Sequence, residues 1–259
     1  MAELTPMMQQ YFEIKNKNKD YILFYRLGDF YEMFFDDAKL VSLELELTLT
    51  GRDCGQGERA PMCGVPYHSA EGYIAKLVQK GYKIAICEQM EDPKKAKGLV
   101  KREIIRRVTP GTVVEASMLD ENRNNFLGCV YAAGGSVGVC FADITTGSVY
   151  ATGSDNWNDI TSELGRFAPR EVLVGGGAIS ADSLQAFLKG RLEALIEPMP
   201  EECFEAQRSA ERIQEHFKVQ DFDAAGLTDL PCTVQCLGGL LDYLEQTQKA
   251  SLSSLNQLQ

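Results

Sequence analysis

No stretch of this 259-residue sequence approaches the roughly 18 apolar residues of a membrane span. Met1 to Lys15 also lacks the basic start and apolar core of a secretory signal, so a cytoplasmic location is expected and no membrane partner. Eight cysteines are scattered without a C-x-x-C pair and there are only two histidines, which argues against a zinc ribbon and for reduced thiols. No G-x-x-x-x-G-K-[ST] occurs; Gly134-Gly135 and Gly175 to Gly177 lack the lysine, so the chain holds no P-loop for a nucleotide. Internal repeats and low-complexity tracts are absent too.

Positive charge is also in short supply: the net charge is −11, which argues against a nucleic-acid binder until it is divided along the chain. Residues 1–115 hold 17 Lys/Arg and 17 Asp/Glu, whereas residues 116–259 hold 9 and 20, so 9 − 20 = −11 and the whole deficit is C-terminal. The second half should avoid phosphate, and any contact with nucleic acid belongs to the first. The length suits two domains, each large enough to bury its own core.

The periodicity places a helix over residues 5–18, then short aromatic runs Tyr21 to Leu27 and Phe30 to Phe35 joined at Gly28-Asp29, then a helix from Asp36 to about Leu45. Gly51 to Gly64 has no apolar period and is expected to be a surface loop. A helix follows from Ser69 to the stop at Gly81, then a buried strand over Tyr82 to Glu88. A mixed α/β domain over residues 1–115 and a linker at 116–125 follow from this pattern. From Phe126 three strand-like runs, to Ala132, Val137 to Ile144 and Gly147 to Thr152, suggest an antiparallel meander. Beyond it helices and strands alternate, with helices over Trp157 to Phe167 and near Val234 to Thr247. The second domain, 126–259, should therefore be an α/β layer fold resembling ribonuclease H.

The segment Gly28-Asp29-Phe30-Tyr31-Glu32-Met33-Phe34-Phe35 mixes a dense aromatic run with a carboxylate. In an extended chain Phe30 and Glu32 share one face, roughly 7 Å apart, with Tyr31, Met33 and Phe35 on the other. Two readings stay open on the pattern alone: Phe30 is core and Glu32 an edge residue, or both protrude together.

FYRLGDFYEMFFDDA resembles the signature of the first domain of the MutS family, and further blocks follow in family order: Ala60 to His68, Ala85 to Gln89 and Arg107 to Thr112. The second half resembles the family's connector domain more loosely. The resemblance implies that Phe30 inserts beside a mispaired or unpaired base and that Glu32 hydrogen-bonds that base. It implies mismatched double-stranded DNA as ligand, MutL as a partner of the connector, and a homodimer in the full-length family, leaving open whether this stretch alone is monomeric. It also implies that ATP and Mg belong to an ATPase outside this chain, so that the chain is part of a longer protein and carries no catalytic residue and no cofactor of its own.

Seven cations fall between Lys94 and Arg107 against one acid, Glu103, and Lys94, Lys95 and Lys97 are candidates for the DNA backbone, with Arg52 and Arg59 as further candidates. The alternative is a solvated charged face. His68 and His216 have no metal partners nearby in sequence, and Asp143 stands where a ribonuclease H-type nuclease would begin a carboxylate cluster. A lone acid makes no two-metal site, which leaves nuclease activity as the least supported alternative.

Overall fold

The computed structural model describes residues 4–55, 57, 59–92, 98–115, 118–119, 124–219, 222–223, 225–248 and 252–259. Its backbone contacts divide the chain into two units, residues 1–109 and 110–259.

The first unit opens with α1 (Pro6–Asn16), where Thr5 caps the N-terminus by accepting from the Met8 N–H and Pro6 occupies a position whose N–H the helix does not need. A six-stranded sheet follows, in the order β3-β4-β2-β1-β5-β6, with β1 (Ile22–Leu27), β2 (Phe30–Phe34), β3 (Thr50–Asp53), β4 (Arg59–Pro66), β5 (Ile84–Gln89) and β6 (Arg102–Val108). Only the β1–β5 pair is parallel. Helices α2 (Phe35–Glu44) and α3 (Ala70–Gln79) complete the unit, and α3 stops at Gly81, φ +89°, as the sequence pattern requires.

One expectation is overturned by the strand pairing. Gly51 to Gly64 is largely a hairpin, not a loop: β3 pairs β4, and β4 pairs β2 from Phe30↔Pro66 to Phe34↔Met62. Its Gly, Asp and Arg content marks an edge strand, and the inward side chains Ala60, Cys63 and Val65 are too few and irregularly spaced to read as a period. The charged run that ends at Arg107, for which the sequence pattern assigns no element, contains β6, paired antiparallel with β5.

The second unit has a six-stranded sheet in the order β11-β10-β7-β8-β9-β12. Strands β7 (Leu127–Ala133), β8 (Ser136–Asp143) and β9 (Ser148–Ser154) form the expected antiparallel meander, turning through Gly134 and Gly135 at φ +61° and +91°, the hairpin geometry that suits glycine. Beside β7, β10 (Glu171–Gly176) and β11 (Leu195–Pro198) add in parallel, and β12 (Gln257–Leu258) adds in parallel beside β9. A three-stranded meander extended by parallel strands on its first strand is the ribonuclease H-like arrangement. Helices α4 (Trp157–Phe167) and α5 (Asp182–Phe187) cover one face through Ile160, Leu164 and Leu184. The other is covered by α6 (Ala206–Phe217) and α7 (Pro231–Thr247) through Ile213, Cys236, Leu237 and Leu240.

The unit break falls before residue 115. The Gly111 N–H donates to Glu171 Oε2 (2.9 Å), Gln248 Nε2 donates to the Thr112 carbonyl (3.3 Å), and Glu171, wholly buried, also accepts from the Tyr243 hydroxyl (2.7 Å). Of the expected linker 116–125, residues 116–117 and 120–123 lie outside the described residues.

Candidate nucleic-acid interface

The β1–β2 connection is a two-residue hairpin turn in which Leu27 pairs with Phe30 and Gly28 takes φ +59°. That φ at the first turn position suits a type II′ hairpin and favours glycine. The register Tyr25↔Glu32 and Leu27↔Phe30 puts Phe30, Glu32 and Phe34 on one face of the sheet. α1 covers only part of that face: Tyr11 packs edge-on against Phe34 (ring centroids 5.1 Å) and Tyr25 (5.5 Å), and all three are buried. Phe30 lies outside this cluster and its residue surface is 46% exposed. Tyr31 and Met33, on the opposite face, are buried; Phe35, expected with them, instead begins α2 at φ +53° and its ring meets Phe12 and Tyr11 on the α1 side.

Glu32 does not stand free beside the ring. Its side chain is 13% exposed and its Oε2 accepts from Arg52 Nη1 at 2.5 Å, an ion pair that reaches across β4 from β3. Opposite Glu32 in β4 is Gly64, where an added Cβ would lie 3.5 Å from Glu32 Cγ, so the missing side chain leaves the carboxylate room over the sheet. Arg52, a candidate for the DNA backbone, is thus already engaged by a carboxylate. Arg59 is exposed and its Nη2 donates to the Gly51 carbonyl.

The cation run divides. Lys94, Lys95 and Lys97 lie outside the described residues. Arg102 is buried, its Nε donating to the Arg26 carbonyl (2.8 Å) and its Nη1 to Gln10 Oε1 (3.0 Å), and Arg107 donates to Asn18 Oδ1 (2.9 Å). Burial pushes the Arg106 guanidinium below its ordinary range, and Lys101 pairs with Glu103 (2.8 Å). Arg102 and Arg107 are thus engaged within the unit, and Lys101 forms an exposed ion pair.

Sequence reasoning missed Arg26, Tyr67 and Glu88. Tyr67 follows β4 and is 44% exposed; the Arg26 guanidinium lies 3.6 Å from its ring centroid and pairs with Glu88 Oε1 (3.2 Å), which also accepts from the Tyr31 hydroxyl. Each of the three stands in one of the blocks that resemble the family, with no role assigned to it, and nothing in the spacing links residues 26, 67 and 88.

The family model for MutS domain I matches residues 5–117, and that for MutS domain II matches residues 125–258. The chain belongs to the MutS family. It is 50% identical over 258 residues to the DNA mismatch repair protein MutS of Lachnoclostridium phytofermentans, covering 100% of this chain and 28% of that protein. With the DNA mismatch repair protein MutS of Acetivibrio thermocellus the identity is 50% over 260 residues, covering 98% of this chain and 29% of the relative. With that of Ruminiclostridium cellulolyticum it is 49% over 259 residues, again 98% and 29%. The chain spans less than a third of the length of these MutS relatives.

In the part that matches MutS domain II, Asp143 is wholly buried and serves its own turn: Oδ1 accepts from the Thr145 N–H (2.9 Å) and hydroxyl (2.6 Å), while Oδ2 has no partner among the described residues. His216 Nε2 bonds the Leu255 carbonyl (2.6 Å), and His68 meets the Tyr67 ring edge-on. Among the described residues no group of three or more His, Cys, Asp or Glu could hold a metal, and no helix is long and apolar enough to cross a membrane.

Proposed function

We propose that the first unit reads mispaired or unpaired bases in duplex DNA, with Phe30 as an aromatic wedge and Glu32 as the group that meets the base. The observation that carries this reading is a phenylalanine left 46% exposed at a tight hairpin turn, on a sheet face whose other aromatics are buried. A ring driven between base steps costs a few kcal/mol of unstacking, and the cost falls where pairing is already defective. Discrimination then comes from the softness of the DNA and not from a base code.

The Glu32–Arg52 ion pair supports a refinement. A carboxylate among phosphates is repelled, and Arg52 partly offsets that repulsion before DNA arrives. While ionised, Glu32 only accepts hydrogen bonds, so a base N–H is its natural partner. Arg59 and the lysines 94, 95 and 97 are proposed backbone contacts, each expected to change the salt slope of binding by about one when neutralised.

The test is the affinity of a longer MutS protein carrying this sequence for a mismatched duplex and for its homoduplex. Phe30→Ala should lower the ratio of the two roughly 5- to 150-fold, the range of about 1–3 kcal/mol that one base–aromatic stack contributes. Equal ratios in the two proteins overturn the wedge.

A second reading concerns residues 116–259, whose net charge of −11 disfavours DNA and suits a protein partner. We propose that this unit docks MutL and relays mismatch binding to an ATPase elsewhere in the protein. Absence of MutL binding at low salt to a longer protein carrying this sequence removes that reading.

A further inference from the structure

Phe30 is exposed, and an exposed ring can enter a base step only if its backbone does not give way. The turn that carries it has little packing of its own: a Cβ added at Gly28 would meet nothing within 4 Å. What holds the turn comes from the opposite face of the sheet, where Arg26 and Tyr31 are paired across β1 and β2.

Arg26 makes three ties from one planar group. Its Nε donates to the Gly28 carbonyl at 2.5 Å, inside the turn. Its Nη1 pairs with Glu88 Oε1 on β5 at 3.2 Å, with side chains 15% and 23% exposed, and the same carboxylate oxygen accepts from the Tyr31 hydroxyl. Its plane lies over the Tyr67 ring, 3.6 Å from the centroid. Tyr67 closes the loop by donating its backbone N–H to the Asp29 carbonyl at 3.0 Å, and Pro66, the residue before it, pairs with Phe30. Both residues of the turn, Gly28 and Asp29, are therefore bound by their carbonyls to one Arg26–Tyr67 stack, which is anchored in turn on β5.

We infer that Arg26 is a positioning residue for mismatch reading: through Gly28, Tyr67 and Glu88 it locks the turn so that Phe30 enters the duplex without backbone yielding. This rests on the wedge reading above. The choice of arginine follows from the geometry, since a lysine offers one point charge and cannot fork to a carbonyl and a carboxylate while stacking on a ring. A pre-organised wedge loses no ordering entropy on binding, and a loose one does.

The test is a double-mutant cycle in the longer MutS protein, with Arg26→Lys, Phe30→Ala and both together, read as mismatch and homoduplex dissociation constants on a duplex with one G·T pair and its paired control. Arg26→Lys should lower the mismatch-to-homoduplex ratio roughly tenfold with homoduplex affinity within about twofold, equivalent to ~1.4 kcal/mol. In the Phe30→Ala background the same substitution should change nothing further, because there is no wedge left to position. A full additional loss in that background overturns the inference, as does an unchanged ratio in Arg26→Lys when Phe30→Ala has lowered it. If Phe30→Ala itself leaves the ratio unchanged, the wedge reading falls and the inference with it. Should Arg26→Lys fail to fold, Tyr31→Phe, which removes only the hydroxyl on Glu88, should lower the ratio about threefold, and no change there overturns the inference.

Discussion

The two units divide their labour between surface and core in opposite ways. The second covers its sheet on both faces and packs closely enough to exclude side chains: a Cβ at Gly175 or Gly239 would collide with the Phe204 ring, and one at Gly238 with Ser209. The first leaves part of one sheet face bare, puts Phe30 there, and ties the supporting turn with a charged network instead of packing. Its charges nearly balance, with 17 Lys/Arg against 16 Asp/Glu over residues 1–109, whereas residues 110–259 hold 9 against 21. An exposed aromatic held by ion pairs and stacking is what the contact surface proposed for the first unit requires; the second unit is a close-packed acidic layer fold.

The contrast between exposed and buried rings is present within one strand. Phe30 and Phe34 are the two ends of β2 on the same face, one exposed and one wholly buried against Tyr11 and Tyr25. Phe34→Ala should cost about 3–5 kcal/mol of the first unit's stability and Phe30→Ala no more than about 0.5 kcal/mol. Urea unfolding followed by far-UV circular dichroism checks both. A large loss of stability in Phe30→Ala would move that ring into the core and remove the contact surface.

A smaller effect tests the second unit's packing. Gly→Ala inside a helix normally stabilises by about 0.5–1 kcal/mol, but in α7 the added methyl of Gly238→Ala meets Ser209, so a net loss of about 1–3 kcal/mol is expected. Gly72→Ala in α3 has open space within 4 Å and should give the ordinary gain. Trp157, the only tryptophan, sits on α4 and reports the second unit's unfolding by fluorescence, while far-UV circular dichroism follows the Gly72→Ala variant of the first. Equal shifts of the same sign in the two variants would mean that α7 is looser than its contacts indicate.

How far the sequence showed this follows from the kind of force that fixes each element. α1, α3, the meander and the hairpin at Gly134-Gly135 rest on local signals: a Thr-Pro start, a terminal glycine, two glycines between alternating runs. They were legible. The β3–β4 hairpin and β6 were not, because an edge strand needs few apolar residues and takes its shape from the partner strand. The Phe30–Glu32 face was legible from period-two alternation, which does not extend to Phe35, since the chain enters α2 there. What alternation could not show is the company each residue keeps. Arg52 on Glu32, and Arg26 on Glu88 and Tyr67, are contacts between residues 20 to 62 apart in the chain, and no spacing rule connects them.

The finest distinction between the units is in how each holds a tyrosine on a glutamate. Tyr31 donates to Glu88 in the first unit and Tyr131 to Glu201 (2.6 Å) in the second. Burial foremost, then the carboxylate partner, pushes Tyr131 up to about 12 and pushes Tyr31 up as well, well above its ordinary value. A phenol whose folded value is raised contributes stability that is complete below the unfolded value of about 10 and is lost as pH rises through the folded value. The advantage of wild type over Tyr31→Phe, and of wild type over Tyr131→Phe, should therefore be flat up to about pH 10 and then decline by at most about 1.4 kcal/mol per pH unit. For Tyr131 the decline should be complete near pH 12. For Tyr31, raised by burial foremost and then by Glu88 against the opposing pull of Arg26, it should persist to higher pH, so the two curves separate only at the alkaline end. Urea midpoints of the three proteins between pH 8 and about pH 12 measure this, and an advantage for Tyr31 that grows with pH above 10 would show that its hydroxyl is not held on Glu88 in the folded protein.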